Sequence, residues 1–234
     1  MFRTFALSAL AATAFLATPA AAQDVSLQPA ADLAEATNAQ VAALPTRVSF
    51  DLSEDRENIL FLDLSTGERI AIRLMPAWAP NHVERIKTLT RQGFYNGTQF
   101  HRVIDGFMAQ TGKSVNGQSG STFPDLDAEF NPLPHVRGSV AMARLGDNED
   151  SANSQFFIVF YPTFSLDRTY TNFGRVISNM PAVDAIQRGE PPANPTRILQ
   201  ASMAADNLPQ AMPGAPVEAE ERITLDMLNA PDGE

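Results

Sequence analysis

The strongest constraint on this chain is its punctuation. Short runs of β-favouring residues recur between about residues 59 and 205, each stopped by Gly, Pro, Asn or Asp, and helical spacing intervenes only twice. Residues 59–64 and 68–74 flank Ser65-Thr66-Gly67 and predict a hairpin. Phe100 to Ile104 and Phe107 to Gln110 predict a strand–turn–strand unit about Asp105-Gly106. Residues 135–143, 155–160, 172–176 and 196–205 predict further strands. The alternation of Val48, Phe50 and Leu52 predicts one more over 47–52. Val83, Ile86 and Leu89 recur at helical spacing behind Asn81 and Glu84, a capping-box pattern. Val183 and Ile186 mark a second short helix over 181–187, with Gly189 as its stop. Residues 111–124 and 145–153 read as loops. So many short strands with two helices imply an all-β barrel or sandwich.

The ends have a different character. Arg3, the apolar run over 5–16 and Ala20-Ala21-Ala22 have the order of a secretory signal, so residues 1–22 are expected to be removed and the mature chain to start near Gln23. The expected address is a bacterial periplasm. Residues 23–46 read as an Ala-rich spacer, with a short helix possible over 31–43. The domain proper is expected over 47–206. An acidic, Pro- and Ala-rich tail follows over 207–234, expected to lack fixed structure except for a short element over 223–228. The chain has no cysteine, so its fold must hold without disulfides. A net charge of −10 argues against nucleic acid or an anionic membrane surface as a partner. The apolar run is too short for a membrane span, and nothing argues against a monomer.

The central unit Phe100-His101-Arg102-Val103-Ile104-Asp105-Gly106-Phe107-Met108-Ala109-Gln110 is answered by Met142-Ala143-Arg144 and by Ser154-Gln155-Phe156-Phe157-Ile158. Together these blocks resemble the signature of the cyclophilins, FHRVIxGFMxQ followed by MA[NR] and SQFFI, and residues 57–206 follow that family without large gaps. The resemblance implies a closed eight-stranded antiparallel barrel capped by two α-helices. It also implies peptidyl-prolyl cis/trans isomerase activity on proline-containing polypeptides in unfolded or extended form, with no cofactor and no metal.

That chemistry breaks no covalent bond. The barrier is the roughly 18–20 kcal/mol of amide resonance that keeps the peptide planar. As the Xaa-Pro bond twists, the proline nitrogen regains a localised lone pair. A fixed cation that binds the twisted form better than the planar one lowers the barrier. Arginine suits the task, with a rigid fork of charged donors. The resemblance makes Arg102 the catalytic residue, with Gln110 and Phe107 completing the catalytic set. It assigns substrate binding to His101, Met108, Ala143, Arg144, Phe157, Leu166 and Tyr170. Phe107, Met108, Phe157 and Leu166 form the proline pocket, and Ala143 and Arg144 the edge that meets the chain upstream of proline.

Each residue has a plainer reading. A lone arginine usually pairs with a surface carboxylate, and strand aromatics are core residues more often than ligand contacts. Phe156 and Phe157 must face opposite sides of their strand, so at most one lines a given pocket. Gln110 could serve only as a barrel-rim hydrogen bond, and His101 as rim contact or structural donor. His82 and His135 lack a third ligand at metal spacing and read as structural or exposed. A non-catalytic proline-peptide-binding or chaperone module on the same barrel is the alternative function. A hydrolase is disfavoured by the absence of a G-x-S-x-G elbow. Departures from the family include Asp105 for a proline, Thr111 and Lys113 for a glycine and an acidic residue, and Ser165 where many members carry Trp. The last implies weak inhibition by cyclosporin.

Overall fold

The computed structural model describes residues 44–214. The expected signal over 1–22, the spacer as far as residue 43 with its possible helix, and the tail from residue 215 with its possible element lie outside the described residues. Among the described residues eight strands are formed: β1 (Ile59–Leu64), β2 (Arg69–Leu74), β3 (Arg102–Ile104), β4 (Met108–Thr111), β5 (Ser139–Met142), β6 (Phe156–Val159), β7 (Asn172–Ser178) and β8 (Ile198–Met203). They make one antiparallel sheet in the order β3-β4-β6-β5-β7-β2-β1-β8. Two α-helices, α1 (Pro80–Arg91) and α2 (Met180–Asp184), pack their apolar sides on the same core.

Alternation builds that core. Leu60, Leu62 and Leu64 of β1 and Ile70, Ile72 and Leu74 of β2 are all at most 1% exposed and face inward. Each such side chain contributes about 1.5–3 kcal/mol by burial. Val103, Ala109, Val140 and Ile158 continue the inner layer, and Val83, Ile86, Leu89 and Val183 of the helices cover it. Gly67 makes the β1–β2 turn at φ 88°, where a Cβ would be strained.

The sheet is curled but open, which corrects the closed barrel expected above. Its edges β3 and β8 share no ladder. β3 is only three residues long, so the seam is crossed by the chain just before it. Phe100 N–H donates to Thr196 O at 2.9 Å, Ile198 N–H to Thr98 O at 2.8 Å and Gly97 N–H to Ile198 O at 2.7 Å.

Residues 47–52 do not form the expected strand. Their carbonyls go to a guanidinium instead of a ladder: Arg73, 3% exposed on the outer side of β2, donates to Ser49 O, Asp51 O, Glu54 O and Asp55 O at 2.7–3.3 Å. Val48 packs on Ile59 and Ala71, but Phe50 is 62% exposed. At the other end the expected tail starts as a hydrogen-bonded strap, for Ala211 N–H donates to Asp63 at 2.8 Å and Gln210 Nε2 to Gly67 O at 3.1 Å.

The capping box is also corrected. Helix α1 starts at Pro80, a turn-ready first residue, so Asn81 lies inside the helix and caps nothing. Its free N–H groups are taken by Glu129, from a loop far along the chain. Glu129 accepts from Asn81 N–H and His82 N–H, both at 3.1 Å, and from His82 Nδ1 at 2.6 Å. A carboxylate there also meets the positive end of the helix dipole. Replacing Glu129 by Ala should therefore cost about 2–3 kcal/mol in urea unfolding, while Glu84→Ala, on the exposed face, should shift the midpoint little; equal effects would overturn this assignment of the cap.

Candidate active site

Register decides what this site contains. Arg102 stands opposite Gln110 across β3–β4, Gln110 opposite Phe157 across β4–β6, and Phe157 opposite Ala141 across β6–β5. Directly opposed residues share a face, so these four side chains form one row on the outer side of the sheet. The next row holds Ile104, Met108 and Val159. The row between holds Val103, Ala109 and Ile158, which belong to the inner core.

The outer face therefore carries its own small apolar cluster. Met108, Ala141, Phe157, Val159 and Leu166 are buried in it, with Ile104, Phe107, Ala143 and Tyr170 packed partly exposed around them. Phe157 meets Tyr170 edge to face at 5.6 Å. Phe156 points the other way, onto Tyr95 and Phe173. Leu166 sits in a single 3-10 turn, Phe164–Leu166. The following residue anchors that turn, because Asp167 accepts from His135 N–H at 2.7 Å and His135 Nδ1 at 2.8 Å. Phe164 is 62% exposed and Ser165 is exposed too.

The polar groups border this cluster. Arg102 is 42% exposed at its side chain and donates through Nε to Glu190 at 2.8 Å, which is the carboxylate pairing open to any lone arginine. Gln110 Nε2 donates to Gln155 Oε1 at 3.0 Å, and Gln155 in turn donates to Ser119 O. His101 gives its N–H to Gln110 O at 3.1 Å, and its buried Nδ1 has no partner. Burial holds its pKa below the ordinary imidazole value, against the pull of a Gln99 hydrogen bond. The ring is thus neutral near pH 7. Ala143 N–H is taken by Gln155 O at 2.9 Å. Arg144 turns its side chain back, Nε to Thr169 O at 3.0 Å, with its guanidinium 4.8 Å over the Tyr170 ring.

Beside Gln110 opens a cavity of about 540 Å³, walled by Gln155, Ala143, Arg144 and the 119–125 loop. Asn153 shapes that loop: its Oδ1 accepts from Ser121 N–H at 2.8 Å and its Nδ2 donates to Phe123 O at 2.9 Å. All ten sequence-derived site residues thus fall on or beside one outer face. Sequence reasoning passed over Gln155, Asn153 and Glu190. Gln155 was detectable, since it stands two residues before Phe157 and so shares its face. Among the described residues no group of three or more His, Asp or Glu side chains could hold a metal ion.

Comparison with known proteins gives the family. Residues 61–203 match the family described as cyclophilin type peptidyl-prolyl cis-trans isomerase/CLD. The chain belongs to the cyclophilin-type peptidyl-prolyl cis-trans isomerases. A probable peptidyl-prolyl cis-trans isomerase of Brucella suis biovar 1 (strain 1330) is 47% identical in an alignment of 169 positions that covers 65% of this chain and 85% of that protein. Peptidyl-prolyl cis-trans isomerase B of Bacillus subtilis (strain 168) is 37% identical, over 54% of this chain and 89% of that one. A cyclophilin from Hirschia baltica superposes with TM-score 0.61 at 28% identity, over 66% and 77% of the two chains. A cyclophilin-type isomerase of Cryptosporidium parvum, crystallised in the presence of the dipeptide Ala-Pro, superposes with TM-score 0.53 at 22% identity, over 62% and 98%, and at that identity speaks for the fold alone.

The fold also rests on two buried imidazoles. His135, which pins the Leu166 turn, and His82, which joins α1 to Glu129, both have pKa values lowered by desolvation despite their carboxylate partners. Each has a buried Nε2 without a partner, so protonation would add an N–H with no acceptor. The unfolded chain binds these protons at about pH 6.5 and the folded one only below that. Their stabilisation is therefore complete above about pH 6.5 and is lost as the pH falls from there through the folded values. Melting temperature should be level from about pH 8 to 7 and drop at about pH 5.5, with a shallower drop in His82→Gln; a melting temperature that rises on acidification would contradict this.

Proposed function

We propose that this isomerase turns Xaa-Pro bonds in unfolded or extended stretches of exported polypeptides, as a periplasmic monomer over residues 47–206 after loss of residues 1–22, and that Arg102 is its catalytic cation. One observation carries the site assignment: the single outer row of Arg102, Gln110 and Phe157, set directly above an apolar cluster that opens to solvent. In this reading the pyrrolidine ring occupies the slot of Phe107, Met108, Phe157 and Leu166. Gln110 holds the substrate main chain near the prolyl bond. Ala143 and Arg144 border the upstream chain, whose side chains enter the neighbouring cavity. His101 and Tyr170 complete the rim.

The mechanism follows from differential binding. A planar amide nitrogen is a poor hydrogen-bond acceptor, because its lone pair is delocalised into the carbonyl. Twisting localises it. A guanidinium N–H held within reach thus gains a bond only as the barrier is climbed, which lowers the barrier rather than the ground state. The apolar slot anchors the ring while Gln110 anchors the main chain, so rotation occurs between two held points.

A protease-coupled isomerisation assay on a short Xaa-Pro peptide tests this with the chain starting at Gln23. Arg102→Ala should lose about 2–4 kcal/mol of barrier lowering, roughly 30- to 1,000-fold in kcat/KM, with an unchanged fold. An unaltered rate would remove Arg102 from the mechanism. Negligible rates in both proteins, with the peptide still bound, would make the barrel a holder of proline segments. No side chain needs to exchange a proton, and His101 is neutral near pH 7. The profile of kcat/KM should therefore be nearly flat from about pH 6.5 to 8.5, and a bell centred on neutrality would implicate His101. With Ser165 at the Trp position, cyclosporin should inhibit weakly; submicromolar inhibition would contradict that assignment.

A further inference from the structure

The chain that follows α2 returns along the outer edge of β3. Val103 and Gly189 exchange two main-chain hydrogen bonds, Val103 N–H to Gly189 O at 2.8 Å and Gly189 N–H to Val103 O at 2.9 Å. Gly189 has φ 141°, and a Cβ there would stand 2.6 Å from Pro192 Cα, so this crossing needs glycine. The pairing is antiparallel, which sets residue 190 directly opposite residue 102. An ion pair lies on each side of the bridge: Arg102 Nε to Glu190 at 2.8 Å, and Arg188 Nε to Asp105 at 3.2 Å. Arg188 is held further by the face of Phe160, 4.3 Å from its guanidinium. Glu190 is thus delivered to Arg102 by backbone pairing, with a second ion pair and a stacked ring holding the segment in place.

We propose that Glu190 is a positioning residue for Arg102. This rests on the catalytic reading of Arg102 given above. Its carboxylate takes the one donor at the root of the guanidinium, Nε–H, and so fixes rotation of the planar group. No other hydrogen bond to the Arg102 side chain forms among the described residues, which leaves the terminal amino groups for the twisting amide. A long side chain that is 42% exposed otherwise samples several rotamers, and each misplaced rotamer subtracts from the population able to act.

The test compares Glu190→Ala, Glu190→Gln and Arg102→Ala/Glu190→Ala in the same assay, with the Arg102 Nε–H resonance followed by NMR in each protein that retains it. Glu190→Ala should lower kcat/KM about 3- to 10-fold, chiefly in kcat with KM little changed, and should speed solvent exchange of the Arg102 Nε–H. Glu190→Gln keeps an acceptor oxygen opposite Nε and should recover to within about twofold of the parent. In the Arg102→Ala background the loss of Glu190 should change nothing further, because it acts only through that arginine. Parent-like rates with an unaltered Nε–H signal in Glu190→Ala would reduce the pair to a surface contact and overturn the proposal. A faster Glu190→Ala enzyme would also overturn it, by making the carboxylate an obstruction. If Arg102→Ala itself keeps the parent rate, the catalytic reading fails and the positioning role with it; the Nε–H signal would then still report whether Glu190 holds the side chain.

Discussion

Everything at this site depends on the register of three short strands. β3, β4 and β6 supply only three, four and four residues, yet their pairing sets Arg102, Gln110 and Phe157 side by side. Because strand side chains alternate with period two, a slip of one residue would turn all three inward and push Val103, Ala109 and Ile158 into solvent. Those three are at most 1% exposed in the core. The inner face thus enforces the geometry of the outer one: misplacing the arginine means exposing the middle of the core. This is why the site can stand on such short elements.

The same arrangement separates two kinds of apolar surface. The inner cluster is buried and takes in side chains of both helices. The outer cluster around Met108 and Phe157 is small, and its rim of Phe107, Ala143 and Tyr170 is only partly covered. A proline ring laid there would bury apolar area without displacing core residues. The aromatic pairing of Phe157 with Tyr170 and the pinning of the Leu166 turn by His135 hold these side chains in place, so little would have to be ordered if a proline ring binds there as proposed.

Much of this was legible in the order of residues. Period-two runs with Gly, Asn and Pro stops located the β1–β2 hairpin and the central strand–turn–strand unit. The two separated blocks around Arg102 and Phe157 carried the family likeness and, with it, residues that the register gathers on one face. What escaped depends on contacts between distant segments. Alternation at Val48, Phe50 and Leu52 looked like a strand, but Arg73 satisfied the carbonyls and left no ladder to join. Asn81 and Glu84 had cap spacing, but Pro80 set the helix start two residues earlier and Glu129 arrived through the fold. Closure of the sheet failed because β3 is too short to reach β8, a matter of strand length that local pattern does not set. Glu190 carries no signal of its own in the sequence; only the Val103–Gly189 bridge and the contact with Arg102 show where it points its charge.

That charge bears on how the arginine can act at all. In water a half-exposed guanidinium and carboxylate attract each other weakly, about 1 kcal/mol or less, because solvent screens both. A bound peptide changes the medium. Covering the outer cluster and the row above it removes water from around Arg102, and the effective dielectric falls. The interaction between its terminal N–H groups and a developing lone pair then strengthens, as does its bond to Glu190. The two effects have different consequences. In the proposed mechanism the first grows along the reaction coordinate and lowers the barrier; the second is the same in planar and twisted states, so it leaves the barrier to the first and serves only to hold direction. A carboxylate bound at Nε is compatible with catalysis for this reason, whereas one bound across both terminal amino groups would compete with the substrate for the same donors.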